Sequence, residues 1–459
     1  MLLRTTHLVF SLLVVSIIST NGIRAENYDL IPIPEFYNRP LLNGMELLFL
    51  PGAEDRIPFV LMIKNGAAFD PANKWGLSYL TTWMILEGTQ SRDGLEIQEE
   101  IAKLEVQLDF QVTWDVIYLF GETSKERLVD VLSLLAEMVV HPVFTQETFE
   151  RLNLELEEEA EQATQQMQFR TQQIFAAELF QENPYGHPVK GVPKTIRNLT
   201  LRDVRVHYQK IFIPNQAQLA FYYSGERDQT FAALSRHWGN WIRSKPLPFT
   251  FRKAIPPSGR QIYLLDGSAP NGMFRLGKLA VSRDSADYYA LKVLEQYLIL
   301  SLPPWAGEIA QREQIHASTE VQARLMPGFL QLSIQAPPEQ LLAYYGKFED
   351  LIEELENGSI DVPKFEEAKR LVYLELVYSL QDPIARLYQL LETDLFNVGV
   401  NFINYFGYRL NRVTFEVFQR AVQKYLSLED FVLVVAGPRD QLQPELEKIG
   451  QVTVVSPDR

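Results

Sequence analysis

The organisation of this chain follows from six residues, Ser224-Gly225-Glu226-Arg227-Asp228-Gln229, which return 212 residues later as Ala436-Gly437-Pro438-Arg439-Asp440-Gln441. Further pairs keep the same order at offsets between 212 and 216: Asp70-Pro71 with Asp284-Ser285, Phe149-Glu150 with Phe365-Glu366, and Leu199-Thr200 with Val413-Thr414. Matches that keep one order and nearly one spacing are the signature of an internal repeat. The sequence therefore predicts a tandem duplication of a unit of about 210 residues.

A proline-rich stretch separates the two copies. Residues 244–260 contain four prolines, a composition typical of a linker. The repeat therefore predicts an N-terminal unit over residues 36–243, a linker over 244–260 and a C-terminal unit over 261–455.

Each copy combines two hydrophobic periods. Strand-like stretches occur at 46–50, 58–64, 116–121 and 217–223, and again at 261–265, 273–281, 328–335 and 431–435. Helix-period stretches in the first copy cover 75–86, 94–108, 125–140, 145–168 and 201–210. Strands that come in pairs between pairs of helices predict an α+β fold, in which each unit has a largely antiparallel sheet with helices on one face.

The composition excludes several classes of protein. The chain has 459 residues, of which 46% are hydrophobic and 22% charged, so it is neither disordered nor collagen-like. Its formal net charge of −15 argues against nucleic acid and anionic membrane surfaces as partners, because both require basic patches. The chain has no cysteine, which excludes disulfides, thiolate nucleophiles and cysteine-ligated metals.

The N-terminus has the layout of a signal peptide. Arg4 precedes an apolar run from Leu8 to Ile18, and cleavage after Ala25 would remove residues 1–25. An uncleaved anchor is the alternative. No later segment is apolar enough to span a bilayer, so we expect an exported protein, periplasmic or secreted, without stable membrane insertion.

One predicted helix carries a family resemblance. Residues 76–89 read G-L-S-Y-L-T-T-W-M-I-L-E-G-T, which resembles the signature helix of the pitrilysin/mitochondrial processing peptidase family, G-L-x-H-F-L-E-H-M-x-x-x-G-T, with its inverted zinc motif H-x-x-E-H. The stretch Asn183–Gly191 is similar to that family's H-P-Y-G-x-P-x-x-G segment. The resemblance implies two peptidase-like units that close as a clamshell.

The zinc positions of that motif are changed here. The two histidines fall on Tyr79 and Trp83, the catalytic glutamate falls on Thr82, and the third ligand on Glu159, with Glu158 as the adjacent register. Indole nitrogen only donates hydrogen bonds, and a phenol with a pKa of about 10 is a poor ligand at neutral pH. Threonine cannot serve as the general base for a zinc-bound water. The sequence therefore predicts a degenerate metal site, with no catalytic residues and no cofactor.

These residues also have simpler interpretations. The acidic run around Glu159 is typical of a solvated helix face, and Tyr79 and Trp83 suit an ordinary core or a cleft. In the second copy, Arg312-Glu313 resembles, in a shortened register, the Arg-Glu pair of the family's R-E-x-x-G-L-x-Y segment. In the alternative register, anchored on Glu308-Ile309, the Arg position falls on Ala310 and the Tyr position on Ala317, and in neither register does a tyrosine follow before Tyr344. Tyr79 and Arg312 are the residues we expect to contact a peptide.

The resemblance and its departures favour one function among three. The leading interpretation is an exported, catalytically inactive homologue that serves as a partner or regulatory subunit of an active peptidase, with zinc only in that partner. The second is a stand-alone peptide-binding protein. The third is an active metallopeptidase with an atypical site.

Overall fold

The computed structural model describes residues 28–33, 35–52, 56–223, 225–267, 271–302 and 315–456. The predicted signal peptide, residues 1–25, lies outside this range. Within it, we find no helix with the length and hydropathy that crossing a bilayer requires.

The first half of the chain forms one sheet and its helices. Its strands are β1 Tyr37–Pro40, β2 Glu46–Pro51, β3 Arg56–Ile63, β4 Gln107–Val112, β5 Ile117–Ser124 and β6 Ala217–Tyr223. Its helices are α1 Leu77–Ile85, α2 Gly94–Lys103, α3 Leu128–Val140, α4 Gln146–Thr164, α5 Met167–Phe180, α6 Pro193–Ile196, α7 Leu201–Ile211 and α8 Arg227–Trp238. The helix predicted over 94–108 ends earlier, because its last residues begin β4, and the one predicted over 145–168 is two helices.

The second half repeats this pattern. Its strands are β7 Arg260–Asp266, β8 Gly272–Leu279, β9 His316–Gln322, β10 Phe329–Ala336, β11 Phe431–Gly437 and β12 Val452–Val455. Its helices are α9 Tyr288–Ser301, α10 Pro338–Glu356, α11 Val362–Ser379, α12 Pro383–Leu395, α13 Asn401–Asn404, α14 Phe406–Asn411, α15 Phe415–Tyr425 and α16 Arg439–Ile449. Each of the eight predicted strands coincides with an observed one, whereas β1, β4, β9 and β12 were not predicted.

The two sheets share the order of five of their six strands and differ in the outermost strand, β1 in the first and β12 in the second. The first runs β1-β2-β6-β3-β5-β4 and the second β12-β7-β11-β8-β10-β9. Among these described strands, only β2 with β6 is parallel in the first sheet, and only β12 with β7 and β7 with β11 in the second. The strands β2-β6-β3-β5-β4 correspond in order to β7-β11-β8-β10-β9, so the duplication and the largely antiparallel sheets are confirmed.

Helices cover both faces of each sheet, which corrects the expectation of helices on one face. Strand β11 is buried along its whole length, and its residues alternate between two cores because successive side chains point to opposite faces. Leu433 packs with α9, α10 and α15, whereas Val432 and Val434 pack with Phe175 of α5. Helix α5 comes from the first half of the chain, so one half lends a helix to the other half's sheet.

The exchange is reciprocal. Helix α12 belongs to the second half, but its Leu387 and Leu391 lie in the first half's core. Its Tyr388 ring lies 4.8 Å from Tyr118 and 5.8 Å from Phe120, two side chains on one face of β5. Hydrophobic periodicity shows which face of a helix is buried, but not against which sheet, so no local pattern in the sequence indicates this exchange.

The residues before β1 bind the second half. The Tyr28 backbone N–H donates to Asn411 Oδ1 at 3.2 Å, and the Ile31 N–H donates to the Asn404 carbonyl at 3.1 Å. Gly407 allows this contact, because a Cβ there would lie 2.5 Å from the Asp29 carbonyl oxygen. The segment from residue 28 to β1 therefore joins the two halves a second time, besides residues 244–260.

Candidate functional site

The predicted zinc positions lie on α1, whose first turn is fixed by a distant carboxylate. Asp70 accepts hydrogen bonds from the backbone N–H groups of Gly76 and Ser78, both at 2.9 Å, and from Ser78 Oγ at 2.6 Å. The first N–H groups of a helix have no partner within it, so this carboxylate serves as its cap. The orientation of the whole helix is thereby set.

Tyr79 and Trp83 lie one turn apart on α1 and contact each other. Their ring centroids are 6.1 Å apart at an interplanar angle of 77°, an edge-to-face pair. Trp83 is only 7% exposed and belongs to the first half's core, whereas Tyr79 is half-buried and packs on Phe110 of β4. Thr82 is fully buried and donates its hydroxyl to the Ser78 carbonyl at 2.8 Å. Thr82, which occupies the position of the family's general base, is therefore inaccessible to water.

Glu159 of α4 lies opposite this pair, and a lysine lies between them. Lys190 Nζ is 2.9 Å from Glu159 Oε2 and 4.8 Å from the Tyr79 ring centroid. Burial lowers the pKa of Lys190, but Tyr79 and Glu159 outweigh burial and leave that pKa above its usual value. The side chain is therefore an ammonium ion, and it balances the charge of the surviving ligand position.

Two glycines place Lys190. The φ angles of Gly76 and Gly191 are +98° and +76°, a region that L side chains rarely adopt. A Cβ on Gly191 would lie 2.1 Å from the Trp75 carbonyl oxygen, and one on Gly76 would lie 2.6 Å from that of Lys190. The two loops can therefore cross in direct contact only with glycine at both positions. Lys190 lies within the stretch Asn183–Gly191 that carries the family resemblance. Its pairing with Glu159 could not be predicted from the sequence, because it depends on this loop crossing the start of α1.

The donors in this cluster do not fit a zinc ion. Zinc in proteins is bound by imidazole, thiolate and carboxylate groups. Here the corresponding positions offer a phenol, an indole and one carboxylate that is already paired with Lys190. The described ranges also contain no group of three His, Asp or Glu side chains spaced to hold a metal.

The other acids of α4 behave as a solvated face. Glu157 and Glu161 each bind the exposed Arg197, at 2.5 and 2.6 Å, and Glu158 is exposed. Only Glu159, rather than the adjacent Glu158, faces α1 and Lys190. The acidic-face interpretation therefore applies to the run except at Glu159.

A buried serine, histidine and aspartate lie together beneath α1 and were not predicted. Ser78 Oγ is 2.8 Å from His207 Nε2, which is 3.4 Å from Asp70 Oδ1. The single Ser78 hydroxyl proton is donated to Asp70, so His207 acts as a donor to the hydroxyl rather than as its base. Ser78 is fully buried and His207 nearly so. The trio supports the start of α1 and offers no accessible nucleophile.

Arg312, the second predicted peptide contact, lies outside the described residues. Tyr79 remains on the surface of the cluster with its ring half-buried. It lies beside β4, the edge strand of the first sheet, through its contact with Phe110. An open strand edge beside a half-buried aromatic ring is suited to adding an extended peptide.

Models of two domains of one peptidase family match this chain. The insulinase (peptidase family M16) model matches residues 54–192, and the peptidase M16 inactive-domain model matches residues 198–372. A curated relative, the non-peptidase homolog YmxG of Helicobacter pylori, is 21% identical over 175 residues, or 38% of this chain and 40% of the relative. The chain thus aligns with about two fifths of the length of the curated relatives it matches.

Solved structures match over most of the chain. A peptidase M16 inactive domain from Pseudomonas fluorescens has a TM-score of 0.77 at 20% identity, covering 88% of this chain and 98% of its own. A protease from H. pylori has a TM-score of 0.80 at 16% identity and covers 88% and 100%. The periplasmic protease PqqL of Escherichia coli has a TM-score of 0.71 at 16% identity, covering 89% of this chain and 48% of its own. The expected α+β clamshell is confirmed, and this chain belongs to the M16 peptidase family.

Proposed function

We propose that this chain is an exported, catalytically inactive M16 homologue that acts as the non-catalytic subunit beside an active, zinc-bearing homologue. The observation that carries the proposal is the Lys190–Glu159 ion pair at 2.9 Å beside Tyr79. An ammonium ion paired with Glu159 supplies a positive charge there without a Lewis acid or an activated water. Zinc is accordingly expected only in the partner.

The organisation of one structural relative supports a second unit beside this one. This chain covers 48% of PqqL, which therefore has room for a second unit of the same size in one polypeptide. PqqL is a periplasmic protease, in agreement with the leader expected at residues 1–25 here. A homologue whose zinc positions carry Tyr79, Thr82 and Trp83 is suited to supplying the non-catalytic part of a shared chamber.

The test combines assembly with metal content. The chain is mixed with an exported homologue from the same genome that has an intact H-x-x-E-H motif, and its mass is measured by light scattering. We expect a heterodimer with one zinc ion per pair, which chelators remove together with peptide cleavage. The proposal fails if this chain alone binds one zinc and cleaves peptides, or if the two chains do not associate.

A stand-alone peptide-binding role is the second candidate, and the open edge of β4 beside Tyr79 supports it. It predicts that a free, single-chain species captures extended peptides without cleaving them. A peptide affinity unchanged by the active homologue would favour this role over the subunit role.

A further inference from the structure

The second sheet contains a buried arginine without a partner. Arg275 of β8 is 7% exposed, and its Nε is fully buried without a hydrogen bond. Among the described residues, no carboxylate lies within ion-pair distance of its guanidinium group, the charge of Glu320 acting on it only from further away. Burial lowers the pKa of Arg275 to about 10, although the charge of Glu320 acts in the opposite direction. An arginine in this state still carries its charge at neutral pH.

A buried charge without a counter-ion is costly, and folded proteins normally pair it. Glu320 of β9 is the acid on the same sheet face, but its carboxylate accepts from Gln322 at 2.7 Å and from Gln331 at 3.4 Å. Those contacts hold Glu320 without bringing it into an ion pair with Arg275. The Nε–H of Arg275 is therefore a buried donor that nothing in the described part of the chain accepts.

Hydroxyl groups lie beside Arg275. The strand register places Arg275 directly opposite Ser333 of β10, which in turn lies opposite Ser318 of β9. Directly opposed residues share a face, with Cβ atoms ~5 Å apart. The two serine hydroxyls are 2.8 Å apart, and their mutual bond uses one of their two protons. The other hydroxyl proton remains available for a further hydrogen bond. A serine O–H donor and the N–H donors of Arg275 therefore lie next to each other.

The exposed end of this row lies on the edge strand β9, whereas Ser333 and Arg275 are buried. Helix α5 covers β8 and β11, where the Phe175 ring takes the place that a side chain at Gly277 would fill. Strand β9 is the last strand of the sheet, and Ser318 and His316 on it are exposed. The row from Ser318 to Ser333 to Arg275 therefore runs from an edge that no described strand pairs into the interior.

We infer that Arg275, with Ser333 and Ser318, forms a binding site for a carboxylate group, carried either by a peptide C-terminus or by an acidic side chain. A planar carboxylate matches the fork of N–H donors on a guanidinium group, and a hydroxyl adds a further donor. The site lies in the second half, away from the Tyr79 cluster. This carboxylate-binding site goes beyond the proposed association with an active homologue, because the chain should bind carboxylates even when no partner is present.

The experiment measures the affinity of fluorescent peptides for the purified chain by polarisation. Three acetylated alanine-serine peptides are compared: one with a free C-terminus, one amidated, and one amidated but containing a glutamate. We expect the wild type to bind at least one carboxylate-bearing peptide tenfold or more tighter than the neutral one, and which peptide gains identifies the source. Arg275→Met should reduce that ratio to about one, whereas Arg236→Met on the exposed face of α8 should leave it unchanged.

A second measurement separates binding from structural support. Arg275→Met removes an unpaired buried charge, so the unliganded variant should melt at or above the wild-type temperature. A wild type without preference for carboxylates, a preference that survives Arg275→Met, or a variant that melts lower and keeps the ratio would each overturn the inference. None of these results depends on whether the active homologue associates.

Discussion

Lys190 should be the main obstacle to rebuilding a zinc site on this chain. Replacing Tyr79 and Trp83 by histidine, in the double variant Tyr79→His/Trp83→His, would supply the two missing ligands beside Glu159. Zinc bound to a carboxylate oxygen lies ~2.1 Å from it. Because Lys190 Nζ is 2.9 Å from Glu159 Oε2, a zinc ion bound to that same oxygen would lie no more than about 5 Å from the ammonium group.

That distance sets the size of the effect. A dication and a monocation about 5 Å apart repel each other by roughly 6–7 kcal/mol at an effective dielectric constant of ~20. The lysine side chain is flexible and half-exposed, so it will turn away and release part of that energy. We expect removal of the charge to recover at least ~2.7 kcal/mol, which is about a hundredfold in zinc affinity.

The assay compares zinc dissociation constants by competition with a chromophoric chelator. Lys190→Met is added to the double variant, and Lys194→Met serves as the matched control, because Lys194 is an exposed lysine four residues away. Circular dichroism checks that every variant is folded. If the two methionine variants change the zinc affinity equally, only net charge matters and the assignment of Lys190 is wrong.

Other expectations concern stability and pH. Trp83→Ala should cost about 3–5 kcal/mol of unfolding free energy and Tyr79→Ala only about 1–2 kcal/mol, as measured by denaturant titration; equal losses would contradict their different burial. Gly191→Ala should cost at least about 2 kcal/mol through strain, whereas Gly346→Ala, in a helix with open space around it, should be neutral or stabilising. Burial lowers the pKa of His187, so the unfolded chain takes up a proton below pH ~6.5 that the folded chain does not, and stability falls as the pH falls. His187→Phe should flatten the decrease in melting temperature between pH 6.5 and 5, and an unchanged slope would show that other groups cause it.

The sequence predicted the duplication and the inner strands because both leave local signals. Strand β11 is a continuous apolar run, and its counterpart β6 is nearly so. Strand β9, H-A-S-T-E-V-Q, is polar because it lies at a sheet edge, so its composition resembles that of a loop. Strand β4 alternates apolar and polar residues, but it follows a helix-period stretch so closely that the predicted helix extends into it.

The residues of the candidate sites also fall into those that the sequence could predict and those that it could not. Tyr79, Thr82, Trp83 and Glu159 could be located because a motif places them at fixed spacing. Lys190 and Arg275 could not be, because each depends on a contact between distant segments. Lys190 meets Glu159 only where two glycine-containing loops cross, and the isolation of Arg275 is visible only once its surroundings are known.

The exchange of α5 and α12 has a consequence for how the chain is made. Side chains on one face of the first sheet, among them Tyr118 and Phe120, are covered by α12, which is synthesised after residue 382. At ~5–20 residues per second, the roughly 150 residues between the end of the first unit and the end of α12 take about 8–30 s to synthesise. During that interval the nascent first unit exposes an apolar sheet surface, and α5 likewise waits for β11. Neither half can complete its native packing without a helix from the other, so the core of the first unit is complete only after α12 has been synthesised.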